Sequence, residues 1–497
     1  MSTRRRAAPA AALAALALVL AGCTAGEDPS PAPTAVPSTD APGPDGGAGD
    51  GDAWAALSRA PDGTAVGEPG PPLTGLGAKW QWNQVAQYES WVEETDGGPS
   101  FVEVVWCDVE PVEGRRTYRQ LERVLGRAQQ AGVDVMVKIR VGRCWATAGS
   151  PEHERGAGKT ESAPPEDLEA YAGFVGDVVR RGAAFGVGSW AVENEVNAPA
   201  FWAGTAQEYE ELARTAADAV RAADPGARVL DSGLSSVAHG YGVAERALRT
   251  GSPEDAVAAW NVYYERRIGT RGEVLPRVED AAALEEVLAG EPARRALDQL
   301  EVAAALAADG VVDARQVHFY EPSSQVGPLF DYLRATTPAD VPLEVWELGG
   351  FARGGEAGAV DDDERDADLL RSTAAVLAEG SPLAVWLPLA VDAAGRNADE
   401  PRWGLLTADG EPRPAAEGYA ALARAAHAGA RAVPLVAGDV RGVALEAASG
   451  TTAVLWSQGA AAELDLPGVD VAGGEVGAEP VVVELDGTAD DVVRALR

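Results

Sequence analysis

From Gly75 onward, short apolar runs alternate with segments of helical periodicity. Runs of this length that are rich in Val, Ile, Phe and Trp and bounded by Gly, Pro or Asp predict strands. The segments between them carry apolar residues three and four positions apart, as amphipathic helices do. Thr205 and Glu208 have the spacing of a capping box at the start of one of these helices. The predicted strands are residues 77–82, 101–106, 133–141, 188–194, 227–233, 315–320, 342–347 and 382–391.

This long alternation of strand and helix predicts a parallel sheet with helices outside, because parallel strands need crossover connections. Eight strands are the number that a closed parallel barrel requires. The sequence therefore predicts an α/β protein with a (β/α)₈ TIM barrel over residues 71–430.

The pattern changes after the predicted helix near residues 413–428. Residues 431–497 contain short strand-like runs joined by Gly turns, without long helical periods, and predict a small C-terminal β-sandwich. Residues 240–310 are longer than one βα unit and hold extra helical sequence. Trp260, Tyr263 and Tyr264 in this insertion are expected as aromatic residues at the barrel rim.

The N-terminus has the layout of a secretory signal, with three arginines, an apolar run that is too short for a permanent membrane helix, and a cysteine at position 23. Leu20-Ala21-Gly22-Cys23 resembles a bacterial lipobox, which implies a signal peptide over residues 1–22 and lipidation of Cys23. The alternative is an ordinary cleaved signal. Residues 23–70 are rich in Pro, Gly, Ala, Ser and Asp and predict a disordered tether. We therefore expect export and lipid anchoring to the outer face of the cell membrane.

The formal net charge of −36 argues against binding to nucleic acid, because so acidic a surface repels phosphate backbones. Membrane contact is expected only through the lipid anchor. The acidic run at residues 361–368 opens a helical pattern, where acids favour the N-terminus, and it lacks the spacing of a calcium loop. We interpret it as a helix start.

Two cysteines remain when Cys23 is set aside, namely Cys107 and Cys144. Both follow predicted strands that would be neighbours, which places them at similar heights. In an exported protein they can pair. We expect a disulfide, and two free thiols are the alternative.

Two glutamates lie at the carboxyl ends of predicted strands, where TIM barrels carry catalytic groups. Glu195 closes the fourth strand and Glu347 the seventh. Alternation places Leu343, Val345 and Glu347 on one face. If the aliphatic pair fills the barrel, Glu347 points into its mouth, and the same alternation brings His318 and Tyr320 together on the sixth strand.

Two carboxylates across such a mouth suit glycoside hydrolysis, in which an acid protonates the leaving oxygen and a second group meets the developing oxocarbenium ion. The nucleophile must stay ionised while the acid stays protonated. The Tyr320 hydroxyl can steady the nucleophile, and the Asn194 amide can hold a sugar hydroxyl.

Several motifs resemble clan A glycoside hydrolases, especially the family 39 β-xylosidases. WAVENEVNAPAFW, residues 190–202, resembles their fourth-strand signature, and VEPVEGRRTYRQLERVLGRAQQAGVDVMV, residues 109–137, resembles their second and third βα units. VHFYEP is similar to their sixth strand, VWELGG to their nucleophile strand, and WGLLTADGEPRPAAEGYAAL to the segment after strand eight. The resemblance spans about residues 75–457.

This resemblance implies a retaining glycoside hydrolase that needs neither a metal nor an organic cofactor and acts on a carbohydrate substrate. Glu195 would be the general acid/base and Glu347 the nucleophile. Asn194, His318 and Tyr320 would contact the sugar, and Trp386 on the eighth strand matches the position of a stacking aromatic.

The chain departs from the family pattern at several positions. Val196 replaces the usual proline after the acid/base, and the fourth strand carries an additional acid, Glu193. Strict alternation would put Glu193 and Glu195 on one face, so the assignment requires the strand to end or bulge at Asn194. The usual Arg near strand two and His near strand three are not evident, and Lys138, Arg140 and Arg143 are candidates to replace them.

Two other classes of function remain open on the sequence. One is a non-catalytic carbohydrate-binding surface lipoprotein with a glycosidase-like barrel, whose mark would be the loss of either glutamate. The other is a structural adaptor that acts through the C-terminal sandwich.

Overall fold

The computed structural model of the chain describes residues 53–80, 89–147, 161–268, 275–350, 360–390, 403–466 and 474–496. All of them belong to one structural unit, Ala48–Arg497. The predicted signal peptide, Cys23 and the predicted tether up to residue 52 lie outside the described residues. Among the helices of the described residues, none has both the length and the apolar character that crossing a bilayer requires.

Strands occur along the whole described part of the chain. They are β1 (Thr64–Val66), β2 (Gly75–Ala78), β3 (Pro99–Val105), β4 (Asp134–Arg140), β5 (Ser189–Val192), β6 (Arg228–Leu230), β7 (Arg315–Phe319), β8 (Leu343–Leu348), β9 (Leu383–Trp386), β10 (Arg431–Ala437), β11 (Val440–Ala447), β12 (Gly450–Ser457), β13 (Ala462–Glu463), β14 (Glu475–Val476) and β15 (Val481–Leu485).

Helices separate most of these strands. They are α1 (Glu89–Thr95), α2 (Trp106–Val109), α3 (Arg119–Ala131), α4 (Leu168–Ala183), α5 (Ala206–Ala223), α6 (Ser236–Thr250), α7 (Pro253–Tyr263), α8 (Ala281–Leu288), α9 (Glu291–Ala308), α10 (Val326–Thr336), α11 (Asp362–Ala378), α12 (Pro414–His427) and α13 (Ala489–Ala495).

The eight strands predicted from the sequence are β2 to β9, and they pair in parallel. One four-stranded sheet has the order β2-β9-β8-β7 and the other the order β3-β4-β5-β6. Parallel bridges join Leu230 to Ala314 and Leu234 to Val317, between the β6 and β7 segments. The chain is therefore a mixed α/β protein with parallel sheets, as its sequence predicts.

Side chains from both parallel sheets meet in one small apolar cluster. The opposite faces of the same strands, including Val104, Val317 and Val345, belong to a larger cluster that also contains helical residues. Helices thus cover one face of the strands, and the two sheets share an interior on the other. The residues of this interior cluster are Phe101, Met136, Ala191, Leu230, Ala314, Trp346, Leu383 and Val385.

Two predicted helix starts are present with the expected capping. Thr205 and Glu208 form a capping box at the start of α5, so each side chain satisfies a backbone N–H that the first turn leaves unpaired. Asp361 caps α11 by accepting from the Glu364 N–H. The acidic run that begins at residue 361 is therefore a helix start.

The strands after α12, together with β1, form an antiparallel sheet of order β1-β10-β11-β12-β15, with β13 and β14 paired separately. Helix α13 packs on this sheet through an apolar cluster of its own, which includes Leu435, Leu455 and Val492. The antiparallel sheet agrees with the predicted short strands. The sandwich itself stays a prediction.

The predicted tether extends too far, because residues 53–70 contribute to the folded unit. Strand β1 pairs with β10, so it occupies an edge of the C-terminal sheet. Trp54 is buried, its ring meets that of Trp456 at 5.3 Å between centroids, and its Nε1 donates to the Gly442 carbonyl at 2.8 Å. A few apolar residues inside a Pro/Gly-rich segment are enough to anchor it when a sheet edge is free.

The insertion between β6 and β7 folds into helices α6 to α9. Trp260, Tyr263 and Tyr264 are fully buried and pack edge-on against one another, with Trp260 and Tyr264 at 4.5 Å between ring centroids. They are therefore core residues, and their rings do not line an open rim. These three large rings join the extra helices to the large apolar cluster that also contains residues of the parallel strands.

Cys107 and Cys144 form a disulfide, with their Cα atoms 5.6 Å apart. Cys107 lies in α2 directly after β3, and Cys144 follows β4. Because β3 and β4 pair in parallel, their carboxyl ends lie side by side and bring the two cysteines together.

Candidate active site

The backbone leaves extended geometry at the end of β5, where the sequence reaches Glu193-Asn194-Glu195. The strand ends at Val192, and Glu193 and Glu195 have φ values of 66° and 44°. Positive φ is uncommon for residues with a side chain and costs about 1–3 kcal/mol each. These turns break strand alternation, so Glu193 and Glu195 reach different surroundings although they are two positions apart.

Glu193 ties the end of β5 to the end of β4. Its Oε1 accepts from the Val141 N–H and the Ser162 hydroxyl, both at 2.7 Å, and its Oε2 is 3.5 Å from Arg140 Nε. Full burial raises the pKa of the Glu193 carboxyl, while Arg140 and the two hydrogen bonds act in the opposite direction. The additional acid of the fourth strand therefore holds the backbone that presents Asn194 and Glu195.

Glu347 reaches the site through an irregularity in β8 rather than through simple alternation. Val317 pairs with Val345 and His318 with Glu347, so Trp346 is an extra residue in the register. Trp346 lies in the interior cluster, whereas Leu343 and Val345 face the helices. The prediction that Leu343 and Val345 fill the barrel is thus wrong, and the bulge turns Glu347 inward.

The two glutamates face a common histidine. His318 Nδ1 is 2.8 Å from Glu195 Oε1 and 3.5 Å from Glu347 Oε2. One oxygen of each carboxylate and a nitrogen of His318 all lie within 4.8 Å of one another. Glu195 is 8% exposed and Glu347 6%, so both side chains are buried but retain a small contact with solvent.

Glu347 is surrounded by donors. Lys138 Nζ is 2.7 Å from its Oε1, and the Tyr320 hydroxyl donates to its Oε2 at 2.6 Å. An ammonium and a phenol at these distances stabilise the ionised carboxylate. Glu195 has a different environment, since its closest polar side chain among the described residues is the imidazole of His318.

Lys138 is the site residue that the sequence identified only as a substitute for expected Arg and His residues. Its side chain is 0% exposed, and its ammonium also contacts Asn194 Oδ1 at 2.7 Å and His318 Nε2 at 3.2 Å. Because an ammonium only donates, the Asn194 carbonyl oxygen faces Lys138 and its NH₂ group points away, as a donor suited to a sugar hydroxyl. The signal in the sequence was a lysine in the middle of an apolar strand, which requires a buried partner.

A second lysine lies beside Lys138. The Lys79 ammonium donates to the Phe101 carbonyl and is 3.8 Å from the centroid of the Phe101 ring, and Lys138 is 4.4 Å from the same centroid. Burial is the main cause that lowers the pKa of Lys79, Lys138 acts in the same direction, and Glu103 and Glu347 act to raise it, so the pKa is lowered to about 8.

The lowered pKa of Lys79 makes stability depend on pH in the alkaline range. Between pH 8 and the unfolded value of 10.5, the unfolded chain binds more protons at this group than the folded protein. The contribution of Lys79 to the free energy of unfolding therefore rises with pH across that window. In Lys79→Met, urea midpoints measured between pH 8 and 10.5 should lack this rise. Arg59→Gln, at an exposed position, should retain it, and equal slopes in the parent and Lys79→Met would contradict the expectation.

Trp386 lies at the end of β9 and is fully buried. Its Nε1 donates to the Trp403 carbonyl at 2.8 Å, and a Cβ added to Gly350, after β8, would lie 3.9 Å from its ring. Stacking on a sugar needs an open ring face. The stacking role of Trp386 stays a prediction.

Glu195, His318 and Glu347 offer donor atoms of the kind that bind divalent cations. The Lys138 ammonium contacts both His318 and Glu347, so it already supplies the positive charge at that position. A metal ion bound by these three residues would have to displace it.

The sequence matches no family model and no curated protein. Among solved structures, the chain is similar to a family 39 glycoside hydrolase from the gut symbiont Bacteroides cellulosilyticus WH2, with 13% identity over 84% of this chain and 79% of that chain and a TM-score of 0.53. It is also similar to a glucosidase from Croceicoccus marinus, with 14% identity over 85% of this chain and 82% of that chain and a TM-score of 0.48. A family 39 β-xylosidase from Caulobacter crescentus is similar with 15% identity over 79% of this chain and 80% of that chain and a TM-score of 0.48.

The first of these likenesses shows that the chain has the fold of a family 39 glycoside hydrolase. This is the fold that the sequence motifs predicted. At 13% identity the likeness concerns the fold alone, so activity has to be argued from the site.

Proposed function

We propose that the protein is a retaining glycoside hydrolase that uses Glu347 as nucleophile and Glu195 as general acid/base. The observation that carries this proposal is the contrast between two neighbouring buried carboxyl groups. Glu347 is held by an ammonium and a phenol, and Glu195 by an imidazole. A nucleophile and an acid/base need two carboxyl groups with different surroundings, and these two have them.

The short separation of the carboxyl groups supports a double displacement. Retaining glycosidases hold their carboxyl groups about 5–5.5 Å apart, whereas inverting enzymes need about 6.5–9.5 Å to fit a water molecule between the base and the sugar. One oxygen of Glu195 and one of Glu347 approach within 4.8 Å. This approach is closer to the spacing of retaining enzymes than to that of inverting enzymes, and it supports the proposal.

In the first step, a Glu347 oxygen bonds to the anomeric carbon while Glu195 gives its proton to the leaving oxygen. In the second step, Glu195 takes a proton from water, whose oxygen bonds to the same carbon as Glu347 leaves. The Asn194 NH₂ group, oriented by Lys138, is suited to donate to a sugar hydroxyl next to that carbon. Lys138 and Tyr320 keep Glu347 ionised before the attack.

We also propose that the two parallel sheets close into a (β/α)₈ barrel. The bridges between the β6 and β7 segments, the contact of β2 with β9, and the apolar cluster shared by both sheets support closure. Gly77 on β2 supports it too, because a Cβ there would lie 1.8 Å from the Pro99 carbonyl oxygen at the start of β3.

The barrel would span residues 71–430, and the small domain after it would be a β-sandwich. Export, lipidation at Cys23 and anchoring to the outer face of the cell membrane belong to the same proposal. The lipobox-like sequence before Cys23 supports them. The proposed partner is a carbohydrate, and the net charge of −36 disfavours nucleic acid.

The proposal is tested by incubating the purified chain with aryl α- and β-glycosides of xylose, glucose, mannose, arabinose and glucuronic acid, together with a polysaccharide panel. We expect turnover of at least one glycoside. Proton NMR of the first-formed sugar should show the anomer of the substrate. The opposite anomer would overturn the retaining mechanism, and binding without turnover across both panels would favour a carbohydrate-binding lipoprotein.

Replacing Lys138 by methionine should reduce kcat/KM by roughly 10²-fold, because a charge-assisted hydrogen bond to the nucleophile contributes about 1.5–3 kcal/mol. The acidic limb of the pH profile should move to higher pH, since Glu347 loses its ammonium partner. Lys138→Arg keeps the charge and should retain more activity. An unchanged acidic limb in Lys138→Met would contradict this role.

A further inference from the structure

Gln316 lies on β7 two residues before His318, and both side chains are buried. The Gln316 backbone N–H donates to Asp231 Oδ1 at 2.7 Å, and its side-chain Nε2 is 2.9 Å from the Asp231 carbonyl oxygen. A carbonyl oxygen only accepts hydrogen bonds, so the Gln316 NH₂ group must face Asp231. Its Oε1 consequently faces His318 Nε2, at 2.9 Å.

Hydrogen bonds and close packing hold both side chains in this arrangement. Gly233 has a φ of +61°, and a Cβ there would lie 2.3 Å from His318 Nε2 and 2.8 Å from Gln316 Cδ. Arg315 holds the other end of the Asp231 side chain, with Nε 2.7 Å from Oδ2. Turning the Gln316 amide over would set its Oε1 against the Asp231 carbonyl oxygen, and two acceptors cannot form a hydrogen bond.

The oriented glutamine assigns the proton on the histidine. Because Gln316 Oε1 is an acceptor, His318 Nε2 carries the hydrogen that joins them. Lys138 Nζ is also near Nε2 but at a longer 3.2 Å, and it has closer acceptors in Asn194 and Glu347. A second proton on His318 would place a buried positive charge 3.2 Å from that ammonium, which is unfavourable. Glu347 Oε2 is 3.5 Å from Nδ1, but it already accepts the closer hydrogen bond from the Tyr320 hydroxyl at 2.6 Å. His318 Nδ1 is therefore a lone-pair acceptor.

We propose that Gln316 is a positioning residue that acts through His318 to keep Glu195 protonated in the resting enzyme. His318 Nδ1 is 2.8 Å from Glu195 Oε1. Two acceptors cannot share a hydrogen bond, so this contact requires the proton on Glu195. This inference rests on the proposed function for its role in turnover, and on the hydrogen-bond geometry alone for the location of the proton.

The same arrangement favours both halves of the reaction. Glu195 gives its proton to the leaving oxygen as that bond breaks, and its carboxylate then faces the Nδ1 lone pair. This repulsion is relieved when Glu195 takes a proton from the attacking water, whose oxygen bonds to the anomeric carbon as Glu347 is released. His318 keeps its own proton throughout.

The location of the proton can be measured without activity, by ¹⁵N NMR of the full chain. The sequence has four histidines, and the His318 signals are assigned by their loss in His318→Gln or their shift in Gln316→Met. His239 is an internal reference, because burial lowers its pKa to about 3 and keeps it neutral. We expect a pyridine-type Nδ1 and a pyrrole-type Nε2 for His318 in the parent. A protonated Nδ1 would overturn the proposal.

Gln316→Met removes the acceptor while keeping a similar volume, so Lys138 becomes the partner of Nε2 and the proton moves to Nδ1. We expect His318 to change tautomer while His239 keeps its shifts. For glycosides with poor leaving groups, kcat/KM should fall by about 10²-fold, and for dinitrophenyl glycosides it should change little, because only acid catalysis is lost. Equal losses for both substrates would indicate a merely structural role and overturn the proposal.

Failure of the proposed function has a different signature. A parent that hydrolyses no glycoside, but shows the pyridine-type Nδ1 and the tautomer change in Gln316→Met, supports the protonated Glu195 and refutes the hydrolase.

Discussion

Glu347→Gln should reduce turnover of the best aryl glycoside by on the order of 10⁵- to 10⁶-fold, as removal of a catalytic nucleophile does in other enzymes. The amide keeps the volume of the side chain but cannot form the covalent glycosyl intermediate. It also places an NH₂ group against either the Lys138 ammonium or the Tyr320 hydroxyl, which both donate to the carboxylate in the parent. The measurement is kcat under saturating substrate, with thermal unfolding as a check on the fold.

Glu344→Gln is the matched control for this prediction. Glu344 lies on the same strand and is also buried, but it contacts Arg228 and Trp346 rather than the glutamate pair. The control should keep turnover within a few fold of the parent. If Glu347→Gln retained more than about 1% of parent activity, far above the residual activity expected after loss of a nucleophile, Glu347 would not be that group.

The parallel strands could be predicted from sequence because each is a short apolar run that is rich in β-branched or aromatic residues and bounded by turn residues. All eight were located to within a few residues, and with them the positions of Glu195 and Glu347 at strand ends. Capping residues such as Thr205 and Asp361 were equally informative, since their hydrogen bonds are local.

The face of β8 could not be predicted, because alternation holds only while the register is regular. A single extra residue in the register, Trp346, moves the side chains that follow it in β8 to the opposite face of the sheet. The sequence analysis placed the Glu347 side chain inside by assuming that the aliphatic face of the strand was the interior, and that assumption was wrong. Bulges arise from pairing with neighbouring strands, which a single-strand pattern does not contain.

The partners of the site charges were also beyond sequence reasoning. Lys138 and Glu347 are 209 positions apart and His318 and Glu195 are 123 apart, so no local spacing links them. The role of Glu193 was hidden for the same reason, since its partners Val141 and Ser162 come from another strand and another loop. The sequence did predict that such partners exist, because a charged residue in an apolar strand is seldom left unpaired, but it did not identify them.

Glu195→Gln should lower kcat/KM by about 10²- to 10⁴-fold for glycosides with poor leaving groups, the range that general acid–base catalysis contributes. With a dinitrophenyl leaving group the first step needs no acid, so the second step becomes limiting and the glycosyl intermediate accumulates. Azide needs no base to attack that intermediate. Added azide should therefore restore turnover of the dinitrophenyl glycoside and yield a glycosyl azide with the anomeric configuration of the substrate.

Glu193→Gln separates this effect from simple loss of a buried carboxylate in the same turn. Glu193 is bonded to Val141, Ser162 and Arg140 rather than to the site, so its replacement should lower thermal stability and leave the leaving-group dependence unchanged. Azide should not accelerate Glu193→Gln. Azide rescue of Glu193→Gln, or no rescue of Glu195→Gln, would show that Glu195 is not the acid/base. The comparison is a close one, because the two glutamates are neighbours in the sequence and differ mainly in the groups that their carboxyls contact.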